Sequence, residues 1–526
     1  MLEQSFENKI AGGKTVSNPA IELRNISKSF GNIVANKNVS LTVNRGEILS
    51  ILGENGSGKT TLMNMISGIY YPDSGHIFIN GKEVVIKSPK DAFDYKIGMI
   101  HQHFKLIDIF TAAENIVLGM EEKGKYNLKE ATVKIKSITE KYGFDIDFNK
   151  KIYEMSVSEK QTVEIVKVLY KGADILILDE PTAVLTPQET QKLFAVLRKM
   201  RESGKSIIII THKLHEVLSL SDKVAVLRKG EYIGTVETKN TNESELTEMM
   251  VGQKVELNID RTDPVNCEKR IEVLNINCID REGVKILDNI TFTAYAGEIL
   301  GIAGIAGSGQ RELLESIAGL QKLNDGNILY YDPKTGKIDN LRDKTPVQIK
   351  ELGVRLSFVP EDRLGMGLVG NMDIVDNMML RSYKKGKSLF VDRKQPKNLA
   401  KKIIEDLGVV TPGTSTPVRR LSGGNVQKIL VGREIAASPT VLMAAYPVRG
   451  LDINSSYLIY NLLNEQKKNG VAVIFVGEDL DVLLELCDKI MVISSGQISG
   501  IVDARTATKE QLGLLMTKHG GENNEQ

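Results

Sequence analysis

The chain lacks most of the features that mark secreted and membrane-spanning proteins. It has three cysteines in 526 residues, with no CxxC pair among Cys267, Cys278 and Cys487. This supports neither a disulfide framework nor a zinc site and favours a reducing compartment. No run approaches the ~18 consecutive apolar residues of a membrane span, so we expect any membrane role to depend on a partner. The first residues also lack the basic and apolar regions of a signal peptide.

The chain also has almost no excess of charge of either sign. Lysine and arginine number 68 against 67 aspartates and glutamates, a formal net charge of +1. This balance gives no overall electrostatic case for nucleic acid as a partner. Apolar residues make up 41% and charged residues 26%, which is ordinary for globular proteins. The length is enough for two or three domains with full cores.

A glycine-rich loop follows an apolar strand predicted over residues 47–52 and precedes a predicted helix. Strand, loop and helix in this order are the setting of a phosphate-binding P-loop, whereas a flexible surface turn would not need them. Glycines let backbone N–H groups turn towards phosphates, and the helix start adds its positive end. We expect Lys59 to reach the β- and γ-phosphates and the Thr60 hydroxyl to bind Mg²⁺. The loop consists of Gly53, Glu54, Asn55, Gly56, Ser57, Gly58, Lys59, Thr60 and Thr61.

Two later apolar strands end in polar side chains. The strand predicted over residues 174–178 is followed by Asp179 and Glu180, and that over residues 206–211 by His212. Continuous apolar runs favour a parallel sheet covered on both faces, whose ligands bind at the carboxyl ends of the strands. An isolated acidic pair is more often solvated surface, and an isolated histidine more often structural. The P-loop upstream favours a catalytic interpretation of both.

The second half of the chain repeats the first in the same order. Gly304 lies 251 positions after Gly53, while Ser422 and Glu478 lie 266 positions after Ser156 and His212. We therefore predict a duplicated domain. The predicted boundaries are a mobile tail at 1–18, a first domain at 19–254, a linker at 255–269, a second domain at 270–518 and a tail at 519–526.

Four motifs in this order resemble the ATP-binding-cassette (ABC) ATPases. They are the P-loop, Gln102 after a strand, the signature beginning Leu421-Ser422-Gly423-Gly424, and the strand that ends Asp-Glu-Pro-Thr. The resemblance covers roughly residues 20–518, and the tandem arrangement is similar to the fused ATPases of bacterial importers for simple sugars and nucleosides. Residues 360–363 are typical of that group, and residues 101–104 and 182–189 are similar to its nucleoside branch. The implied fold is α/β, with two P-loop domains that each have a mostly parallel core, an antiparallel β subdomain and a helical signature subdomain.

In that family two cassettes pack head to tail, and each ATP lies between one P-loop and the other signature. The resemblance implies that Glu180 is the general base, that His212 contacts the γ-phosphate, and that Asp179 and Thr60 hold Mg²⁺. Gln102 contacts Mg²⁺ or the attacking water. Phe30 matches the aromatic that stacks on adenine, although an ordinary strand-end core aromatic is the alternative. The second half completes this first site with Ser422, Gly423 and Gly424.

The other site implied by the resemblance is degenerate. Its loop keeps Gly304, Gly307, Ser308 and Gly309 but has Gln310 in place of lysine and Arg311 in place of serine or threonine. The matching strand ends in Ala445 and Tyr446, and Glu361 and Glu478 replace the glutamine and the histidine. The facing signature, from Ser156, lacks both glycines. Arg311 offers a positive charge, so nucleotide binding there stays open while hydrolysis is expected to be slow or absent.

The resemblance implies an ATP-hydrolysing subunit of a bacterial importer for simple sugars of the ribose and galactose type, or for nucleosides. ATP and Mg²⁺ are the implied cofactors, with integral-membrane permease subunits as partners and an extracytoplasmic binding protein as an indirect one. The implied location is the cytoplasmic face of the membrane. One alternative is a tandem cassette protein acting on ribosomes or DNA, which usually has two competent sites and a long basic linker. Another is a nucleotide-binding regulator without turnover, which Glu180 and His212 disfavour.

Overall fold

The computed structural model divides the described chain into two compact units. Residues up to 252 form the first unit, except 186–188, and the remaining described residues form the second. The structure describes residues 19–31, 33–101, 104–119, 128–183, 185–252, 259–264, 267–279, 283–305, 307–358, 367–380, 382–383, 391–436, 438–449 and 451–517.

The strands of the first unit form one mixed sheet in the order β5-β4-β1-β2-β10-β9-β3-β8-β7-β6. Its antiparallel part, β5 to β2, meets the rest at a single pair, Lys37 on β2 with Glu231 on β10. From β9 to β6 neighbouring strands are parallel. The strands are β1 Ile21–Phe30, β2 Ile33–Val43, β3 Ile48–Leu52, β4 Ser74–Ile79, β5 Lys82–Val84, β6 Ile97–Ile100, β7 Ile175–Asp179, β8 Ser206–Ile210, β9 Lys223–Arg228 and β10 Glu231–Glu237.

Several helices of the first unit begin at a side chain that caps their free N–H groups. Ser88, Thr111 and Ser156 each accept a hydrogen bond from the backbone three residues on, in a capping box. Among the described residues of the whole chain, no helix is long and apolar enough to cross a bilayer. The helices are α1 Lys59–Ile66, α2 Pro89–Asp94, α3 Ala112–Val117, α4 Leu128–Tyr142, α5 Val157–Tyr170, α6 Pro187–Glu202, α7 Leu214–Leu220 and α8 Glu243–Val251.

The parallel strands of the first unit are buried on both faces. All five residues of β3, β7 and β8 are buried. Leu49 and Ile51 join one core cluster with Leu62 of α1, whereas Ile48 joins another with Phe194 of α6. Helices α3 to α5 have a separate cluster of their own. The predicted parallel core, covered on both faces, is therefore confirmed.

The second unit repeats this architecture with two sheets. A four-stranded antiparallel sheet has the order β12-β11-β14-β15, and a six-stranded sheet has the order β16-β17-β18-β13-β19-β20, parallel except for β20. The strands are β11 Lys269–Ile279, β12 Lys285–Tyr295, β13 Ile299–Ala303, β14 Asp325–Tyr331, β15 Ile338–Asn340, β16 Val354–Phe358, β17 Val441–Ala445, β18 Ala472–Val476, β19 Lys489–Ser494 and β20 Gln497–Asp503. The helices are α9 Gln310–Ile317, α10 Pro346–Glu351, α11 Ile374–Met379, α12 Lys394–Asp406, α13 Gly423–Ile435, α14 Ile453–Lys468, α15 Leu480–Leu486 and α16 Lys509–Thr517. The predicted α/β class with duplicated domains is confirmed.

Part of the stretch predicted as a linker packs on the second unit. Ile259 is buried in the core of that unit. The Arg261 guanidinium donates hydrogen bonds to the carbonyls of Leu484, at 2.9 Å, and Cys487, at 2.6 Å. These contacts anchor residues 259–261 at the carboxyl end of α15.

Candidate active site

The loop between β3 and α1 has a backbone that requires glycine. Gly58 has a φ of 95°, and a Cβ there would lie 2.3 Å from the carbonyl oxygen of Ala35. A Cβ on Gly53 would lie 2.3 Å from the carbonyl oxygen of Leu227. Ser57 is buried within the loop, whereas Asn55 is exposed and Thr61 is half-buried. The predicted P-loop residues thus form one tight turn at the carboxyl end of β3.

Lys59 is held inside this turn. Its ammonium Nζ donates to the carbonyl of Gly53 at 2.6 Å and to that of Glu54 at 2.9 Å, and the residue is 6% exposed. Burial lowers the pKa of Lys59, an effect opposed by the negative charges of Glu180 and Asp179. A phosphate at the loop would give this buried cation the counter-charge that the carbonyls supply only in part.

Asp179, the last residue of β7, lies next to the start of α1. Burial, with the charge of Glu180, raises the pKa of Asp179 to about 6, although a hydrogen bond with the Thr60 side chain acts against the shift. Carboxylate and hydroxyl oxygens are the ligands that Mg²⁺ prefers. The donor set of Asp179 and Thr60 therefore fits the predicted cation, and a bound Mg²⁺ would relieve the buried charge of Asp179.

Glu180 and His212 meet at the ends of neighbouring strands. Glu180 has a left-handed φ of 47°, and its backbone N–H donates to the carbonyl of Ile210 at 2.9 Å. This turn brings carboxylate Oε1 to 2.8 Å from imidazole Nδ1 of His212. Burial acts to raise the pKa of Glu180, but the hydrogen bond to His212 and nearby positive charges, Lys59 and Lys213 among them, hold that pKa below its ordinary value.

Phe30 ends β1 as an exposed aromatic. Its side chain has 43% of its surface exposed and meets Tyr70 edge to face with ring centroids 5.1 Å apart. That exposure does not fit the alternative of an ordinary core aromatic. Gln102 lies outside the described residues, as does its second-unit counterpart Glu361.

In the second unit a neutral side chain occupies the position of the P-loop lysine. Gln310 is 3% exposed and donates from Nε2 to the carbonyl of Ile305 at 3.0 Å. The loop backbone is similar, since Gly307 and Gly309 have φ values of 87° and 105°. The Arg311 Nε is 2.7 Å from carboxylate Oε1 of Glu315, one turn along α9, so the positive charge suggested as a substitute is paired on its own helix.

The end of β17 keeps the backbone of β7 without its carboxylates. Tyr446 has a φ of 50°, and its N–H donates to the carbonyl of Val476 at 2.9 Å, as Glu180 does to Ile210. Burial and the charge of Glu478 raise the pKa of the Tyr446 phenol. Ala445 has no ligand to offer a cation. A neutral phenol and a methyl group therefore stand where the first unit has two acids.

Helix α5, whose N-cap is Ser156, and helix α13, whose N-cap is Ser422, differ in charge at their first turn. In the first unit, the Ser156 N–H donates at 2.6 Å to the carboxylate of Glu159, which also pairs with Lys150 at 2.7 Å. In the second unit, Ser422 caps α13 and accepts a hydrogen bond from the Asn425 side chain at 2.9 Å, with no acidic residue in the first turn. Ser422 and Gly423 are exposed, and Gly424 is half-buried. Of these two helices, α13 is therefore the one whose start has no carboxylate to repel an anion.

Some site residues have no obvious sequence signal. Asn36 of β2 is fully buried, and its side chain donates to the carbonyl of Gly58 at 3.2 Å, which braces the loop from a strand the motif does not include. The sequence signal that could have indicated Asn36 is its amide side chain within the stretch that forms β2. Lys213 and Glu216, which follow the end of β8, likewise belong to no motif but contact each other and Thr182, which follows the end of β7.

A duplicated α/β unit with one lysine-bearing phosphate loop and one strand-end acid–histidine pair defines a tandem P-loop ATPase. A family model described as "ABC transporter" matches residues 36–183 and 287–447. The chain belongs to the ABC transporter family.

Relatives place the chain among import ATP-binding proteins. It is 42% identical over 504 residues to the guanosine import ATP-binding protein NupO of Bacillus subtilis, covering 94% of this chain and 97% of that protein. It is 37% identical over 500 residues to the ribose import ATP-binding protein RbsA of Clostridium perfringens, with 94% and 97% covered. These relatives support the import interpretation over action on ribosomes or DNA.

One solved structure matches most of the chain. It is the complex of the archaeal ribosomal stalk protein aP1 with the ribosome recycling factor aABCE1, at a TM-score of 0.59 over 91% of this chain and 90% of that one. The sequence identity is 16%, so this likeness shows the shared fold alone.

Proposed function

We propose that this chain hydrolyses ATP with Mg²⁺ at the first-unit P-loop and thereby drives import of nucleosides through a membrane permease. One observation carries the proposal, namely the contrast between corresponding positions of the two units. Lys59, Asp179, Glu180 and His212 cluster at the strand ends of the first unit, and Gln310, Ala445, Tyr446 and Glu478 replace them in the second. One competent and one degenerate site follow from these replacements.

In the competent site, the buried Lys59 ammonium neutralises charge on the β- and γ-phosphates. Thr60 and Asp179 would hold Mg²⁺, which would supply further positive charge to the phosphates. Glu180 accepts the proton of the attacking water, because its lowered pKa keeps it ionised at neutral pH. His212 orients the Glu180 carboxylate and contacts the γ-phosphate, and Gln102 contributes to Mg²⁺ or water binding.

The family resemblance assigns Ser422, Gly423 and Gly424 to the γ-phosphate of this site and Ser156 to the degenerate one. The chemistry of the two helix starts supports that assignment. At α5, the carboxylate of Glu159 accepts the N–H of Ser156 at 2.6 Å and places a negative charge at the helix start, whereas α13 has no acid in its first turn. Repulsion between Glu159 and a phosphate adds to the loss of Lys and Mg²⁺ ligands in the degenerate site.

The relatives, whose names describe import ATP-binding proteins, support a permease partner and action at the membrane. We propose that domains at 19–254 and 270–518 act on permease subunits at the cytoplasmic face of the membrane, as a peripheral subunit. An extracytoplasmic binding protein would deliver the cargo and contact the chain only indirectly.

Nucleosides are the favoured cargo because identity to the guanosine import protein, at 42%, exceeds that to the ribose import protein, at 37%. The test is a transporter reconstituted in vesicles from the full chain, its permease and its binding protein. We expect guanosine or another purine nucleoside to stimulate ATP hydrolysis and to accumulate inside. Glu180→Gln in the same complex is the matched control and removes both signals.

Stimulation by ribose or galactose alone would overturn the nucleoside assignment and leave the importer proposal standing. Hydrolysis that no solute affects, but that ribosomes or DNA stimulate, would overturn the importer proposal itself.

A further inference from the structure

Three polar side chains of the first unit connect the segment after Glu180 to the segment after His212. The Thr182 hydroxyl donates to carboxylate Oε2 of Glu216 at 2.6 Å. The Lys213 ammonium lies 3.2 Å from Oε1 of the same carboxylate and donates to the carbonyl of Thr182 at 3.1 Å. Thr182 and Glu216 are buried. We call Thr182, Lys213 and Glu216 the strand-end clamp.

Lys213 stands where a helix start disfavours it. It is the N-cap residue of α7 and makes no capping hydrogen bond with its side chain. Ser, Thr, Asn or Asp at an N-cap would satisfy free N–H groups, whereas a lysine adds a positive charge to the positive end of the helix dipole. Residues that are unfavourable for local structure, as Lys213 is at an N-cap, are expected mainly at functional sites.

The second unit shows the same backbone without the clamp. Val448, Asp479 and Val482 stand 266 positions after Thr182, Lys213 and Glu216. Asp479 is a capping residue, since its side chain accepts a hydrogen bond from the N–H of Asp481 at the start of α15. Val448 and Val482 are partly buried against the core.

The turn that follows β17 in the second unit has the same backbone hydrogen bond as the turn that follows β7 in the first unit. Ala183 N–H donates to the carbonyl of Glu180 at 3.2 Å, and Arg449 N–H to that of Tyr446 at the same distance. Gln161 binds the carbonyl of Pro181 in the first unit as Gln427 binds that of Pro447 in the second. The fold of the strand end therefore does not need the clamp, which is present only beside the acid–histidine pair.

We propose that Thr182, Lys213 and Glu216 are positioning residues that fix the Glu180 carboxylate and the His212 imidazole relative to each other for ATP hydrolysis. The clamp joins the residue two positions after Glu180 to the residue directly after His212. Backbone hydrogen bonds join β7 to β8 as far as the Glu180 N–H and the Ile210 carbonyl, and the clamp limits relative movement of the two segments that follow. The inference rests on the proposed role of Glu180 as general base.

The decisive variant installs the valine pair of the second unit, Thr182→Val with Glu216→Val, in the full chain assayed with its permease. A shift of ~1 Å in a catalytic group can cost about 100-fold in rate. We expect kcat to fall by ~10- to 100-fold, while KM for ATP, ATP affinity and melting temperature change little, because valines are accommodated at the same backbone positions of the second unit. Glu216→Gln, which keeps an acceptor for Thr182, should recover part of kcat.

Lys213→Asn separates positioning from folding. Asparagine is a favourable N-cap, so we expect an unchanged or raised melting temperature together with a lower kcat. Val448→Thr in the second unit is the matched control and should keep the parent rate.

Wild-type kcat in the valine pair, or a loss of ATP affinity and melting temperature that parallels the loss of rate, would overturn the proposal. Glu180→Gln measured beside these variants keeps the two hypotheses apart. If Glu180→Gln were active, the base assignment would fail first, whereas an inactive Glu180→Gln with an active valine pair would reject the clamp alone.

Discussion

The imidazole Nδ1 of His212 lies 2.8 Å from carboxylate Oε1 of Glu180, across the ends of two parallel strands. The contact depends on the left-handed backbone at Glu180, which turns the carboxylate away from β7 and towards the end of β8. Tyr446 has the same backbone conformation, with φ of 50°, but offers no acceptor of this strength. The chemical difference between the two units is therefore a matter of side chains on a shared turn.

The first prediction concerns the base. Glu180→Gln keeps the shape of the side chain and a hydrogen-bonding group near His212 but removes proton acceptance, so ATP hydrolysis should fall by at least ~100-fold. Binding of ATP should persist, because Lys59 and the loop are unchanged. Steady-state hydrolysis and nucleotide-binding titrations on the same preparation measure both. A hydrolysis rate near that of the parent protein would show that Glu180 is not the base.

The second prediction concerns the degenerate site. Tyr446→Phe removes only the phenol oxygen, and the aromatic ring keeps its packing against the core of the second unit. We expect hydrolysis to stay within about twofold of the parent protein, the scale of a substitution that touches no catalytic group. The same assay as for Glu180→Gln serves as the comparison. An equally deep loss in both variants would contradict the assignment of unequal sites.

The motifs predicted the loop and the two strand ends well because each depends on local geometry. A glycine-rich turn after a buried strand has few alternatives, and the acids after β7 stand out as polar residues at the end of an apolar run. The sequence did not predict that Arg311 pairs with Glu315, because a long side chain can adopt many rotamers that fit the same motif. Nor did it single out Glu216, whose importance depends on Thr182, 34 positions away in sequence. Residues 259–261 are polar in pattern but pack on the second unit because Ile259 and Arg261 find tertiary partners.

The third prediction concerns two P-loop glycines, and it separates the cost of a positive φ from the cost of a steric clash at the added Cβ. A Cβ at Gly58 would lie 2.3 Å from one backbone oxygen and the φ there is 95°, whereas Gly56 has a φ of 82° and open space around it. Gly56→Ala should therefore cost only backbone strain, about 1–2 kcal/mol, and Gly58→Ala should cost more, ~3 kcal/mol or above. ATP affinity should fall further in Gly58→Ala. Melting curves and nucleotide titrations of both variants check the order, and equal effects would show that crowding is irrelevant.

The fourth prediction is a pH dependence of stability at Asp179. Its pKa in the folded chain is raised from 3.8 to about 6, so above pH 6 the folded state holds a buried charge that the unfolded chain carries at lower cost. The raised pKa therefore destabilises the nucleotide-free protein above pH 6, and this cost decreases as pH falls towards 3.8. Asp179→Asn removes the cost, although it also removes a charge that supports the buried Lys59.

We expect Asp179→Asn to stabilise the nucleotide-free protein at pH 7.5 by about 3 kcal/mol, given ~1.4 kcal/mol per unit over the pKa shift from 3.8 to about 6. The gain should be about half as large at pH 5, about a fifth as large at pH 4 and nearly absent at pH 3, where both the folded and the unfolded states are mostly protonated. With ATP and Mg²⁺ present the order should reverse, because the variant has lost a ligand that stabilises the bound state. Melting temperatures across this pH range, with and without nucleotide, measure each step. A gain independent of pH would show that the stabilisation does not come from the titration of Asp179.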